Sequence, residues 1–129
     1  MPLIFQHQIQ RADLHINREA LYLFGDNEER RGLGGLAGEC RGEPNACGIV
    51  TKKAPSWESY AFWSDADFDR VRPIIDRDFE KPTRWIKAGK VVICPAEGVG
   101  QYRAKLPEVA PLIDSYIKLQ IMSLGISRR

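Results

Sequence analysis

The sequence predicts a three-layer α/β domain built on a mainly parallel central sheet. Three observations carry that expectation. Residues 20–24, 48–51 and 90–94 are apolar almost throughout, the mark of strands buried on both faces. The segments between them carry helix-boundary residues and helical spacing, so strands alternate with helices. Two of the three runs lead into glycine-rich loops, a junction that open α/β sheets use to hold anionic ligands.

In chain order, Leu3-Ile4-Phe5 with Ile9 suggests a short opening strand, and residues 12–17 read as a polar turn or irregular strand. The first central strand stops at Gly25-Asp26-Asn27, and a charged stretch leads to Gly32, Gly34 and Gly35. Residues 35–41 then suit a short helix, with Glu39 and Arg41 facing solvent or forming a local pair. Pro44-Asn45 marks a turn before the second strand, which delivers Thr51-Lys52-Lys53. Lys53 should point away from Lys52 and outward. Residues 54–64 are rich in aromatics without a clean period and read as an ordered loop.

Ser64 or Asp65 suits a helix cap, since a side-chain oxygen there accepts from exposed backbone N–H groups. Phe68 and Val71 begin an apolar face. Pro73 is expected to open a new helical segment and Pro82 to break it, with Trp85 and Ile86 on a last short helix stopped by Gly89. The third strand ends at Pro95, and Glu97-Gly98-Val99-Gly100-Gln101-Tyr102 forms the second glycine loop. Pro107 should open the final helix. Val109, Leu112, Ile113, Tyr116, Ile117 and Leu124 form its apolar stripe.

A chain of 129 residues is expected to form one domain. Its 19 basic and 17 acidic residues leave a net charge of +2, too little to suggest nucleic acid as a partner. No run approaches a membrane span, and the N-terminus lacks the basic start and long apolar region of a signal peptide. The expected location is cytoplasmic, in the organism itself or in a host cell. Cys40, Cys47 and Cys94 match no zinc spacing and read as reduced, mostly buried thiols, so no metal or cofactor is expected.

Each candidate site residue has a functional and a structural reading. Asp26 and Asn27 either meet a ligand's ribose, base or water, or shape a turn. Gly25, Gly32, Gly34 and Gly35 either let backbone donors approach a phosphate or ribose, or simply permit a mobile loop. Lys52 is a nucleophile if desolvated, a phosphate partner if charged, or a solvated surface lysine. Thr51 precedes it on the same strand. Gly98, Val99 and Gly100 either present donors to a diphosphate or make a tight connection to the last helix. Glu97 is a candidate acid or base or a solvated charge. Trp57, Tyr60, Phe62 and Trp63 either stack on a base or pack a core or lid.

Three segments together resemble a macrodomain. Gly25-Asp26-Asn27, then Gly32-Leu33-Gly34-Gly35 and a helix, is similar to the acidic or amide residue and glycine loop beside the distal ribose. Gly48-Ile49-Val50-Thr51-Lys52-Lys53 resembles the strand ending in Thr-Lys in the deacylating group, the terminal ADP-ribose protein glycohydrolases. The run from Val91 to Gly100 is similar to that group's strand, proline and glycine loop around the diphosphate. Order and spacing agree over roughly residues 20–120. The FGDN and GEPNA-GI-TK segments also resemble those of small proteins of bacteria and their phages.

The resemblance implies recognition of ADP-ribose or a related signalling nucleotide, and hydrolysis of an ADP-ribosyl linkage on an acidic side chain. Lys52 matches the lysine that attacks the distal ribose, with Asp26 as the second catalytic candidate. The sequence departs from the group after Gly100. Gln101-Tyr102-Arg103 stands where that group has an aspartate, and the next carboxylate is Glu108. The alternative implied is a sequestering or regulatory protein that binds the ligand without turnover. In either case one cleft is expected, at the C-terminal ends of the three central strands.

Overall fold

The computed structural model describes residues 2–126. Four strands, β1 (Leu3–Gln6), β2 (Leu21–Asn27), β3 (Ala46–Lys52) and β4 (Val92–Pro95), form one sheet in the order β1-β4-β2-β3. Every pairing is parallel. Helices α1 (Arg11–Ile16) and α2 (Ala37–Cys40) cover one face. On the other lie α3 (Phe68–Asp78), α4 (Glu80–Lys87) and α6 (Pro111–Ile126), the last preceded by the short α5 (Leu106–Val109). The protein is therefore an α/β fold with helices on both faces of a parallel sheet.

The period of two along β2 divides the core. Leu21 and Leu23 pack with Val71, Ile75, Ile113 and Ile117. Tyr22 and Phe24 point the opposite way, toward Leu14 of α1 and Ala37 and Cys40 of α2. In β4, Val92 and Cys94 join the first cluster and Ile93 the second. A strand flanked by helices on both faces needs apolar residues at every position.

Several local expectations are corrected. Residues 11–16 form α1, neither a turn nor a strand. The Asp13 carboxylate accepts the Gln10 backbone N–H at 2.8 Å, and the single buried Leu14 anchors the turn. Ile9 lies outside β1. β2 continues through Gly25, Asp26 and Asn27 because β3 pairs with them, and β3 itself begins at Ala46. Pro73 lies inside α3, where its ring faces solvent, and Pro82 lies in the first turn of α4, where no helical partner is lost. Pro107 opens only α5, and α6 starts separately at Pro111. Leu112 faces water, 53% exposed, while Ile113 and Ile117 enter the core. Of the two cap candidates, Ser64 caps the helical turn that leads into α3, its N–H donating to Asp67 at 2.9 Å, whereas Asp65 caps α6: its carboxylate accepts the Leu112 N–H at 3.0 Å and the Ile113 N–H at 3.2 Å.

The Glu43-Pro44-Asn45 turn is an assembly point for α1. The Glu43 carboxylate receives Arg11, His15 and Arg18, and these contacts hold its pKa down at about 2. The Asn45 amide donates to the Leu14, Asn17 and Ala20 carbonyls within 3.1 Å, fixing the chain between α1 and β2. Gly89 ends α4 as expected, at φ +78°.

Candidate functional site

The sheet opens at its C-terminal end. β2 pairs with β4 only at Leu21–Val92 and Tyr22–Ile93. Pro95, at the end of β4, has no N–H to extend that ladder, and the two strands separate beyond it. The chain after β2 turns to α2 on one face, whereas the chain after β4 turns to α6 on the other. That divergence is the topological switch point at which open α/β sheets hold ligands.

A cleft of about 450 Å³ occupies this position. It is lined by Gly25, Asp26, Asn27, Gly32, Gly34, Gly35, Thr51, Lys52, Gly98, Val99 and Gly100. The residues singled out from the sequence thus meet in one place. A smaller cavity of about 260 Å³, toward β1, shares Gly35, Leu36, Pro95 and Glu97 with it. The larger volume suits a small molecule.

Close backbone approach explains the glycines best. A Cβ on Gly25 would stand 3.4 Å from the Gly100 nitrogen, so β2 and the second loop touch at two glycines. A Cβ on Gly100 would fall 2.5 Å from Leu106 Cδ1. That loop is held at both ends by Val99 and Ala104, buried in the main core. A Cβ on Gly34 would fall 2.3 Å from Arg103 Nη2, and one on Gly35 2.8 Å from Arg103 Cδ. The Arg103 side chain therefore lies directly on the first glycine loop.

Asp26 is buried and fully engaged. Its Oδ1 receives Arg41 Nη2 at 2.6 Å, its Oδ2 receives Arg41 Nη1 at 3.3 Å, and Arg30 Nη1 stands 3.5 Å from Oδ2. The Arg41 guanidinium lies 5.4 Å from the Phe24 ring centroid. Arg41 is thus neither solvated nor locally paired, and Glu39 accepts the Arg11 N–H at 2.8 Å. Asn27 shapes the loop: its amide donates to the Arg31 carbonyl at 2.8 Å and accepts the Glu29 N–H at 3.0 Å. The β2–β3 register shifts between Asp26 and Asn27, and the Thr51 hydroxyl there donates to the Asp26 carbonyl at 2.9 Å.

Lys52 is 8% exposed. Its ammonium donates to the Ser56 carbonyl at 2.8 Å and lies 4.5 Å from the Phe62 centroid and 5.3 Å from that of Trp57. Burial, then the neighbouring Arg103 and Lys105, lowers its pKa below that of an ordinary lysine. Lys53 is half-buried.

Among the described residues, two carboxylates line the cleft: Asp26, held by Arg41, and the exposed Glu97, which lies 3.6 Å from His7. Gln101 donates to Asp114 at 2.8 Å and to the Val99 carbonyl at 3.0 Å. The aromatic segment divides. Trp57 lines the cleft, 57% exposed, whereas Trp63 is buried and donates to Glu28 at 2.9 Å. Burial raises the thiols to about 12 for Cys40 and Cys94 and about 11 for Cys47, which suits none of them for nucleophilic attack. Among the described residues no group of three or more His, Cys, Asp or Glu is placed to hold a metal ion, and no helix is long and apolar enough to cross a membrane.

Sequence reasoning missed Arg41 and Arg103. Their partners lie far away in the chain, and no local spacing announces them.

No curated protein and no solved structure matches the chain. The profile of a family of unknown function, DUF7831, matches residues 4–120, and the chain belongs to that family.

Proposed function

We propose that the cleft binds a phosphate-bearing nucleotide derivative, such as ADP-ribose or a related signalling nucleotide, without turning it over. The observation that carries this reading is the meeting of two glycine loops with a buried lysine that, among the described residues, no carboxylate neutralises. Glycine backbone supplies close N–H donors, and Lys52 supplies charge in a partly desolvated place. Asp26, already committed to Arg41, does not repel an anion as a free carboxylate would. Calorimetry with ADP-ribose and related nucleotides tests the reading, and no binding at millimolar concentration would sink it.

A second reading is hydrolysis of an ADP-ribosyl linkage, with Lys52 as nucleophile. Its lowered pKa favours this, since only a neutral amine attacks. Gln101-Tyr102-Arg103, which follow Gly100, hold no carboxylate, and that favours binding alone. Turnover of ADP-ribosylated acidic peptide by the wild type, abolished in Lys52→Ala, would establish hydrolysis over the first reading.

A further inference from the structure

Beside Lys52, two further cations at the cleft, Arg103 and Lys105, have no role in the contacts described so far. Lys52 Nζ, Arg103 Cζ and Lys105 Nζ lie 5.3, 5.1 and 5.7 Å from the centroid of Trp57. Lys52 and Lys105 also lie 4.5 and 5.6 Å from that of Phe62. An indole has two faces, so at least two of the three cations share one. Among the described residues, no carboxylate oxygen stands within 4.0 Å of any of the three. Lys52 and Arg103 line the cleft, Lys105 stands outside its lining, and the other lining cations are paired, Arg41 with Asp26 and Arg31 with Glu29.

Arg103 is the most telling of the three. Its guanidinium lies on Gly34 and Gly35, where any Cβ would displace it, and beside the indole of Trp57. Among the described residues it donates no hydrogen bond, and only its backbone carbonyl is engaged, by Lys52 at 3.5 Å. A planar fork is thus positioned by stacking and bare backbone while its donors stay unspent. Ring faces attract cations, yet they cannot neutralise three of them. Like charges held this close raise the energy of the empty protein, and a bound anion removes that repulsion.

We infer that Trp57 carries an anchor for a terminal phosphate of the ligand, adjoining the two glycine loops and sharing Lys52 with them. Arg103 supplies the bidentate fork, and Lys52 and Lys105 act as point charges. A phosphomonoester fits better than a carboxylate, because three positive charges call for a dianion. The anchor selects nucleotides that carry a phosphate beyond those the loops hold. It rests on the cleft being the nucleotide site proposed above.

Calorimetry with ADP and ATP, without divalent cations and at two salt concentrations, tests the anchor. The two probes differ by one terminal phosphate. The wild type should bind ATP roughly tenfold more tightly than ADP, and the preference should shrink as salt rises. Arg103→Gln and Lys105→Gln should each move the ratio toward one. Lys105 is exposed, so its variant keeps the test alive if the Arg103 variant folds poorly. ATP should also change tryptophan emission, and Trp57→Phe should remove that change. A ratio near one in the wild type, a ratio unaltered by both variants, or an emission change that survives Trp57→Phe overturns the anchor and leaves the nucleotide reading standing. No binding of ADP, ATP or ADP-ribose overturns both.

Discussion

Arg41 and Asp26 form a two-point ion pair beneath the cleft, with Nη2–Oδ1 at 2.6 Å and Nη1–Oδ2 at 3.3 Å. The pair joins the helix after the first glycine loop to the end of β2. It removes the buried Asp26 carboxylate from competition with an anion. It also fixes the loop, because Arg41 Nε donates to the Gly32 carbonyl at 2.9 Å.

Arg41→Ala should therefore destabilise the fold and loosen the first glycine loop together. Breaking one side of a buried pair costs about 3–5 kcal/mol, and Arg30 at 3.5 Å offsets part of that, so about 2–3 kcal/mol is expected in urea denaturation. Adding Asp26→Asn should recover some of the loss, because no charge is then left alone. A loss under about 1 kcal/mol would show that Arg30 alone suffices.

Gly48 faces the same carboxylate across the β2–β3 ladder. A Cβ there would fall 2.5 Å from Asp26 Oδ2 and 2.9 Å from Asp26 Cβ. Gly48→Ala should cost about 1–3 kcal/mol, the range for overpacking a buried site. Thermal unfolding of the variant checks this, and an unchanged midpoint would mean that Asp26 shifts freely.

Lys52→Met should weaken an anionic ligand by roughly 1–3 kcal/mol, the range for charge-assisted hydrogen bonds. The substitution keeps length and removes charge, so the folded protein should lose little stability. Calorimetry with ADP-ribose reads the change. Equal affinity would place the phosphate away from Lys52.

The alkaline limit of stability should be set by the thiols. Burial raises Cys40, Cys47 and Cys94 from 9.0 to about 12, 11 and 12. Their folded values exceed the unfolded one, so their stabilising contribution is complete below pH 9.0 and is lost as pH rises toward those values. Each thiol within its window removes about 1.4 kcal/mol per pH unit. Lys52 acts in the opposite sense. Its folded value is lowered, the unfolded chain binds more protons, and stability rises with pH up to 10.5. Three thiols against one lysine make the net slope downward. Urea midpoints from pH 9 to 11 should fall, and Cys94→Ala should flatten the decline. A midpoint that climbs throughout would contradict the burial of the thiols.

The central strands and both glycine loops were legible in the sequence because each rests on adjacent residues. An apolar run names a buried strand, and clustered glycines name a place where backbone comes close. Asp26 and Lys52 were legible as site candidates by their position at strand ends. What could not be read locally was pairing across the fold. Arg41 meets Asp26 across the first glycine loop, and Arg103 meets Gly34 from the opposite side of the cleft. The polar helix α1 was missed because it buries one leucine and leans on Glu43. The split between α5 and α6 was missed because Pro107 and Pro111 are equally able to start a helix. Leu112 fits the apolar spacing, yet it faces water in the first turn of α6.

The burial of Val99 and Ala104 has a consequence for how the cleft meets its ligand. Between those two pegs only four residues are free of the core, and one of them, Gly100, is pressed against Leu106 and Thr51. The second loop has no slack with which to swing shut. Recognition at this end of the cleft comes down to rotations of Gln101, Tyr102 and Arg103 over a preset backbone. The ordering entropy that a mobile lid would lose on binding has already been lost when the chain folds.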